Sequence, residues 1–68
     1  MAFPENVRKY REINEMSQSD LAIAMDLSQS TIARYETGMK LPNIITGAKL
    51  AKILGTTVEK LVEQEEQK

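Results

Sequence analysis

Residues 17–38, Ser-Gln-Ser-Asp-Leu-Ala-Ile-Ala-Met-Asp-Leu-Ser-Gln-Ser-Thr-Ile-Ala-Arg-Tyr-Glu-Thr-Gly, constrain the fold of this chain more than any other stretch. They contain two start signals for short helices. Ser17 is a good N-cap, and Asp20, three positions on, adds an acceptor and a negative charge to the first turn. Ser28 repeats the cap, and Gly38 supplies a residue able to take positive φ after the second helix. Asp26-Leu27-Ser28 leaves about three residues for the turn, which suits two helices meeting at a steep angle.

The apolar positions agree with such a helix-turn-helix. Leu21, Ala22 and Met25 form one stripe on the first helix, and Ile32 and Tyr35 lie three apart on the second. Ala22 is small where the helices must approach. The outer face of the second helix then shows Gln29, Ser30, Thr31, Arg34 and Thr37, rich in hydrogen-bonding groups but with a single charge. A face that is merely solvated more often carries Glu and Lys. The competing reading is an ordinary polar helix surface.

The chain resembles the DNA-binding domain of the phage repressor and Cro-like helix-turn-helix family, over roughly Glu5 to Val62. The resemblance is carried by Arg11, by Ser17-Gln18-Ser19-Asp20-Leu21-Ala22 and by Ser28-Gln29-Ser30-Thr31-Ile32. Tyr35-Glu36 with Gly38, then Pro42, and Leu50-Ala51-Lys52-Ile53-Leu54-Gly55 complete it. Two turns depart from the pattern: Glu15 and Asp26 stand where the family usually has glycine. Aspartate tolerates left-handed geometry better than glutamate, so Asn14 is an alternative holder of the special conformation in the first turn.

Composition bounds the function. Sixty-eight residues make one domain, near the size where a single core is only marginally stabilising. There is no cysteine and no histidine, which removes disulfides, thiolate or imidazole metal ligands, and Cys- or His-based catalysis. The serines and threonines sit where caps are needed. No enzyme, metal site, cofactor or small-molecule ligand is expected. No apolar run approaches the ~20 residues of a membrane span, and the first residues lack the features of a secretory signal, so the expected location is the cytoplasm. Net charge is −1, unusual for a DNA-binding domain; the last ten residues carry −2 and residues 1–58 carry +1. Few phosphate contacts per subunit are therefore expected.

The remaining sequence reads as helical support. Helix one is expected from Pro4 or Glu5 to about Asn14, with Val7, Tyr10 and Ile13 facing inward. A fourth helix starts at the cap Asn43 and ends at Gly55, with Ile44, Ala48, Ala51 and Leu54 as its stripe and Leu50 at the edge. Gly47 interrupts that helix at about 1 kcal/mol relative to alanine unless it permits close packing. Thr57 caps a short fifth helix containing Val58, Leu61 and Val62, and the polar residues 63–68 fray. The fold class is thus all-α: a compact five-helix bundle, the lambda repressor-like DNA-binding domain.

The resemblance implies that the second helix of the motif enters the major groove. Gln29, Ser30 and Arg34 are then the base-reading candidates, with Thr31 beside them. Glutamine pairs bidentately with adenine, arginine with guanine, and the Thr31 methyl suits thymine. Each has a plainer alternative: Gln29 supporting the helix start, Arg34 touching phosphate, Ser30 merely solvated. For the DNA backbone, Gln18 lies in a first helical turn, where free N–H groups favour anions. Lys40 and Asn43 match backbone-gripping positions of similar proteins, and Arg8 flanks them. Arg11 and Glu36 match positions that form a structural ion pair.

The expected function is sequence-specific regulation of transcription, most simply repression by occupying operator DNA as a homodimer. One short recognition helix reads few base pairs, and two copies read two half-sites about 34 Å apart. Ile44, Ile45, Val58, Leu61 and Val62 are the candidate dimer surface, unless Val58 and Leu61 close the monomer's own core. The alternative reading is a protein-interaction module on the same scaffold, such as an antitoxin that binds a toxin.

Overall fold

The computed structural model describes residues 2–64, and these form five α-helices and no strand. They are α1 (Ala2–Ile13), α2 (Gln18–Met25), α3 (Gln29–Thr37), α4 (Ile44–Ile53) and α5 (Val58–Val62). Helix α1 packs on α3 and α5, α2 on α3 and α4, and α4 on α5. The expected fraying of 63–68 concerns Glu63 and Gln64, which follow α5 without helical structure, and residues 65–68, which lie outside the described residues.

Local chemistry fixes the helix ends. The Ser17 hydroxyl accepts from the Asp20 backbone N–H at 2.9 Å, and the Ser17 N–H donates to the Asp20 carboxylate at 3.0 Å, closing a capping box. Ser28, Asn43 and Thr57 accept from the N–H groups of Thr31, Thr46 and Lys60. Helices α1 to α4 all end in the same way, with a residue at positive φ: Glu15 (58°), Asp26 (59°), Gly38 (80°) and Gly55 (73°). In each case the next residue's N–H reaches back five positions, as Met16 does to the Arg11 carbonyl at 3.1 Å and Leu27 to the Ala22 carbonyl at 2.9 Å. Glu15 itself therefore takes the left-handed conformation, not Asn14. The Asn14 amide is used elsewhere, donating to the carbonyls of Tyr10 and Leu54 and tying α1 to the end of α4.

The core contains Phe3, Val7, Leu21, Ala22, Met25, Ile32, Tyr35, Leu50, Ala51, Leu54 and Leu61. Phe3 and Tyr35 meet edge to face, ring centroids 6.2 Å apart. Helix α1 begins earlier than its proline suggests, and this brings Phe3 and Pro4 inside. Its inward face is Phe3, Val7 and Tyr10. Ile13 is 63% exposed: six residues beyond Val7 at 3.6 per turn place it about 120° round the helix from Val7, past the Tyr10 edge of that face.

The α4 stripe also differs from the expected one. Gly47, Leu50, Ala51 and Leu54 are buried, while Ile44 and Ala48 are exposed. Gly47 and Ala48 are neighbours of similar size, so periodicity alone does not choose between them. A Cβ on Gly47 would sit 3.8 Å from the Pro42 ring, an ordinary contact, so no close approach within the chain requires this glycine. Helix α5 is only five residues long, and its last carbonyls are capped from α1: the Asn6 amide donates to the carbonyls of Leu61 (2.9 Å) and Glu63 (2.8 Å) and, more weakly, of Lys60.

Candidate nucleic-acid interface

Helix α3 sits with Ile32 and Tyr35 in the core, which turns Gln29, Ser30, Arg34 and Thr37 to the solvent and leaves Thr31 half-buried. Ser28 organises the start of this face. Its hydroxyl lies 3.2 Å from that of Ser30 and 2.9 Å from that of Thr31. Arg34 makes no ion pair and no side-chain hydrogen bond among the described residues, so its guanidinium keeps its full set of donors at the surface.

Behind the face lies a network that joins three helices. Arg11 Nε donates to Glu36 Oε2 at 2.5 Å and Nη2 to Oε1 at 3.1 Å; Nη1 donates to the Met16 carbonyl at 2.8 Å. The pair is largely buried, the two side chains being 11% and 5% exposed. The hydrogen bond and charge of Glu36 raise the Arg11 pKa above its ordinary value, against the opposing effect of burial. Gln18 Nε2 also donates to Glu36 Oε1 at 3.2 Å, and Gln29 Nε2 donates to Gln18 Oε1 at 3.1 Å. A continuous path thus runs from α1 through Glu36 and Gln18 to the first residue of α3. The sequence names all four residues, but nothing in it signals the two hydrogen bonds of Gln18.

The structure treats the backbone candidates unequally. Gln18 is half-buried at the start of α2, with both ends of its amide in hydrogen bonds to Glu36 and Gln29. Lys40 is exposed just after α3. Asn43 is exposed and uses its Oδ1 to cap α4, accepting from Thr46 at 2.8 Å, while its amide nitrogen makes no hydrogen bond among the described residues. Arg8 is exposed on α1 but already paired with Glu12 at 3.2 Å.

The apolar candidates divide in two. Ile44 (83%) and Ile45 (79%) are strongly exposed, and Val58 and Val62 are exposed on α5. Leu61, only 1% exposed, belongs to the core, since it is the position of α5 that points toward α1 and α4. Val58 and Val62 line an apolar groove of about 230 Å³ with Phe3, Leu41, Pro42 and Gly47. Leu41, itself exposed, is a part of this surface that sequence reasoning missed; it lies in the loop before α4, where no periodicity marks it.

Two capped helices joined by a tight turn, with the polar face of the second turned outward and its apolar face locked into a helical bundle, define a helix-turn-helix protein. Residues 7–61 match the model of the Helix-turn-helix family, and the chain belongs to that family. It is 41% identical over 58 residues to control protein C.SmaI of Serratia marcescens, covering 85% of this chain and 69% of the relative. It is 30% identical over 64 residues to the cryptic phage CTXphi transcriptional repressor RstR of Vibrio cholerae, spanning 94% of this chain and 58% of that protein. Among solved structures, SinR, the master regulator for biofilm formation, solved in complex with DNA, superimposes with a TM-score of 0.82 at 22% identity. That match covers 90% of this chain and 98% of SinR, a likeness of fold. Hydroxypropylphosphonic acid epoxidase from S. wedmorenis also superimposes with a TM-score of 0.82, at 26% identity, over 91% of this chain but only 33% of the enzyme.

Proposed function

We propose that this helix-turn-helix protein is a DNA-binding transcriptional regulator that represses by laying α3 in the major groove of an operator. It is a regulator rather than an enzyme: its relatives are named as a control protein and a transcriptional repressor, and the likeness to the epoxidase spans a third of that chain. The observation that carries the reading is the α3 face, where an uncommitted Arg34 stands five residues along α3 from Gln29, whose amide is held from behind. Arg34 and Gln29 read bases, with Ser30 and Thr31 between them; Lys40 and the Asn43 amide meet the backbone.

The regulator acts as a homodimer in the cytoplasm, joined through Leu41, Ile44, Ile45, Val58 and Val62. Leu41, Val58 and Val62 line one apolar groove and Ile44 and Ile45 are exposed on α4, which supports this, because isologous contact repeats a single patch on both subunits. Low net charge adds weight to pairing, since weak general attraction to DNA makes a second half-site more valuable.

Binding to a random duplex pool, measured as a function of salt, tests the reading. Affinity falling with rising salt, together with enrichment of one sequence on repeated selection, is the expected result. Absence of any duplex binding at low salt would overturn it and leave the apolar surface as the site of function.

A further inference from the structure

We propose that Glu36 decides which base Gln29 reads, by fixing the polarity of two amides in series. The inference rests on Gln29 being a base contact, as argued above. Glu36 touches no base in this scheme; it is a positioning residue.

A carboxylate paired with a guanidinium offers only acceptors. Gln18 must therefore turn its amide nitrogen toward Glu36, and Nε2 donates to Oε1 at 3.2 Å. The Gln18 oxygen then faces α3, where Gln29 Nε2 donates to it at 3.1 Å. Gln29 is left with one N–H and its carbonyl oxygen. One donor and one acceptor complement adenine, which shows N7 and the N6 amino group in the major groove. With both amides reversed, Gln29 would spend its oxygen on Gln18 and present two N–H donors, the complement of N7 and O6 of guanine.

An amide is almost symmetric in shape, so sterics alone choose neither state. The asymmetry comes from the buried end of the relay. Arg11 donates twice to Glu36 and cannot accept, so the acid, not an amide, suits position 36. Gln18 transmits that choice over the gap between α2 and α3.

The test is selection from a random duplex pool by the full chain and by the variants Glu36→Gln, Gln18→Met and Gln29→Ala. Competition then follows between duplexes carrying A·T or G·C at the position that Gln29→Ala identifies. The parent chain should prefer adenine. Glu36→Gln and Gln18→Met should each lower the adenine-to-guanine ratio about tenfold while preferences at other positions stay. Gln18→Met leaves the Arg11–Glu36 pair intact, so it decides the matter if Glu36→Gln fails to fold. Weaker binding to all duplexes with the ratio unchanged, or a parental preference for a base other than adenine, would overturn the relay. If Gln29→Ala itself leaves every preference intact, the base contact fails and the relay with it. If Gln29→Ala erases a preference that the other two variants keep, the relay alone fails.

Discussion

Arg11 and Glu36 meet across 25 positions of chain through two hydrogen bonds of 2.5 and 3.1 Å, joining the end of α1 to the last turn of α3. The same guanidinium holds the Met16 carbonyl, just past the left-handed Glu15, so one side chain braces both α3 and the turn that leads into α2. Removing one partner leaves the other charge buried without compensation. Arg11→Met should therefore cost about 3–5 kcal/mol, close to the whole stability of a small domain. The double variant Arg11→Met/Glu36→Gln should lose less than the sum of the two single changes. Denaturant unfolding of all four proteins measures the coupling, and additive losses would show that the pair contributes none.

Arg34 separates function from stability. Its exposed side chain makes no contact that the fold needs, so Arg34→Ala should leave the melting temperature within about 2 °C, in keeping with the small effect of surface substitutions. On the preferred duplex it should cost about 1–3 kcal/mol and relax discrimination at one base pair. Lys40→Ala should instead weaken all duplexes evenly and flatten the salt dependence by about one counterion per subunit. Binding isotherms at several salt concentrations distinguish the two.

Glu15 is a site of stored strain. It occupies left-handed geometry at φ 58°, which costs a residue with a Cβ about 1–2 kcal/mol relative to a favoured conformation. Glu15→Gly should raise stability by about 1 kcal/mol, with Asp26→Gly giving less because aspartate tolerates the region better. Thermal unfolding reads both, and a destabilised Glu15→Gly would mean that the side chain contributes more than its backbone costs.

Ile45 and Leu61 should behave oppositely despite their shared apolar character. Ile45→Glu or Val62→Glu, on exposed positions, should leave the fold intact but produce a monomer with weaker operator binding. Leu61→Glu buries a charge in the core and should unfold the domain. Sedimentation across concentration, with and without DNA, checks the first pair; circular dichroism checks the second. A parent chain that stays monomeric and binds one copy per site would refute the dimer.

The capping box predicts a response to acid. The Ser17 backbone N–H, followed by its hydroxyl, lowers the Asp20 carboxyl below its ordinary value. A carboxyl whose pKa is lower in the folded state stabilises the protein above the unfolded value and loses that contribution as pH falls through the folded one. Unfolding midpoints should therefore decline as pH drops through and below about 4. Asp20→Asn, which keeps the acceptor but does not titrate, should show a shallower decline; an identical acid profile would remove Asp20 as the cause.

Much of this molecule is local chemistry that can be read along the chain. Ser17, Ser28, Asn43 and Thr57 each cap a helix, Gly38 ends one, and Leu21, Met25, Ile32 and Tyr35 face inward, because capping and periodicity depend only on residues within a turn or two. These features determine the helix-turn-helix and the residues on its outer face. Tertiary structure decided what lies between helices. It set the phase of α4, putting Gly47 rather than Ala48 inside, and gave Leu61 to the core while leaving Val62 at the surface. It also brought Asn6 to the end of α5 and Gln18 between Glu36 and Gln29. Those choices turn on contacts between residues 11 to 57 positions apart, among side chains of similar size or interchangeable amide ends. Periodicity is blind to such contacts, and only the packed arrangement of the helices breaks the tie.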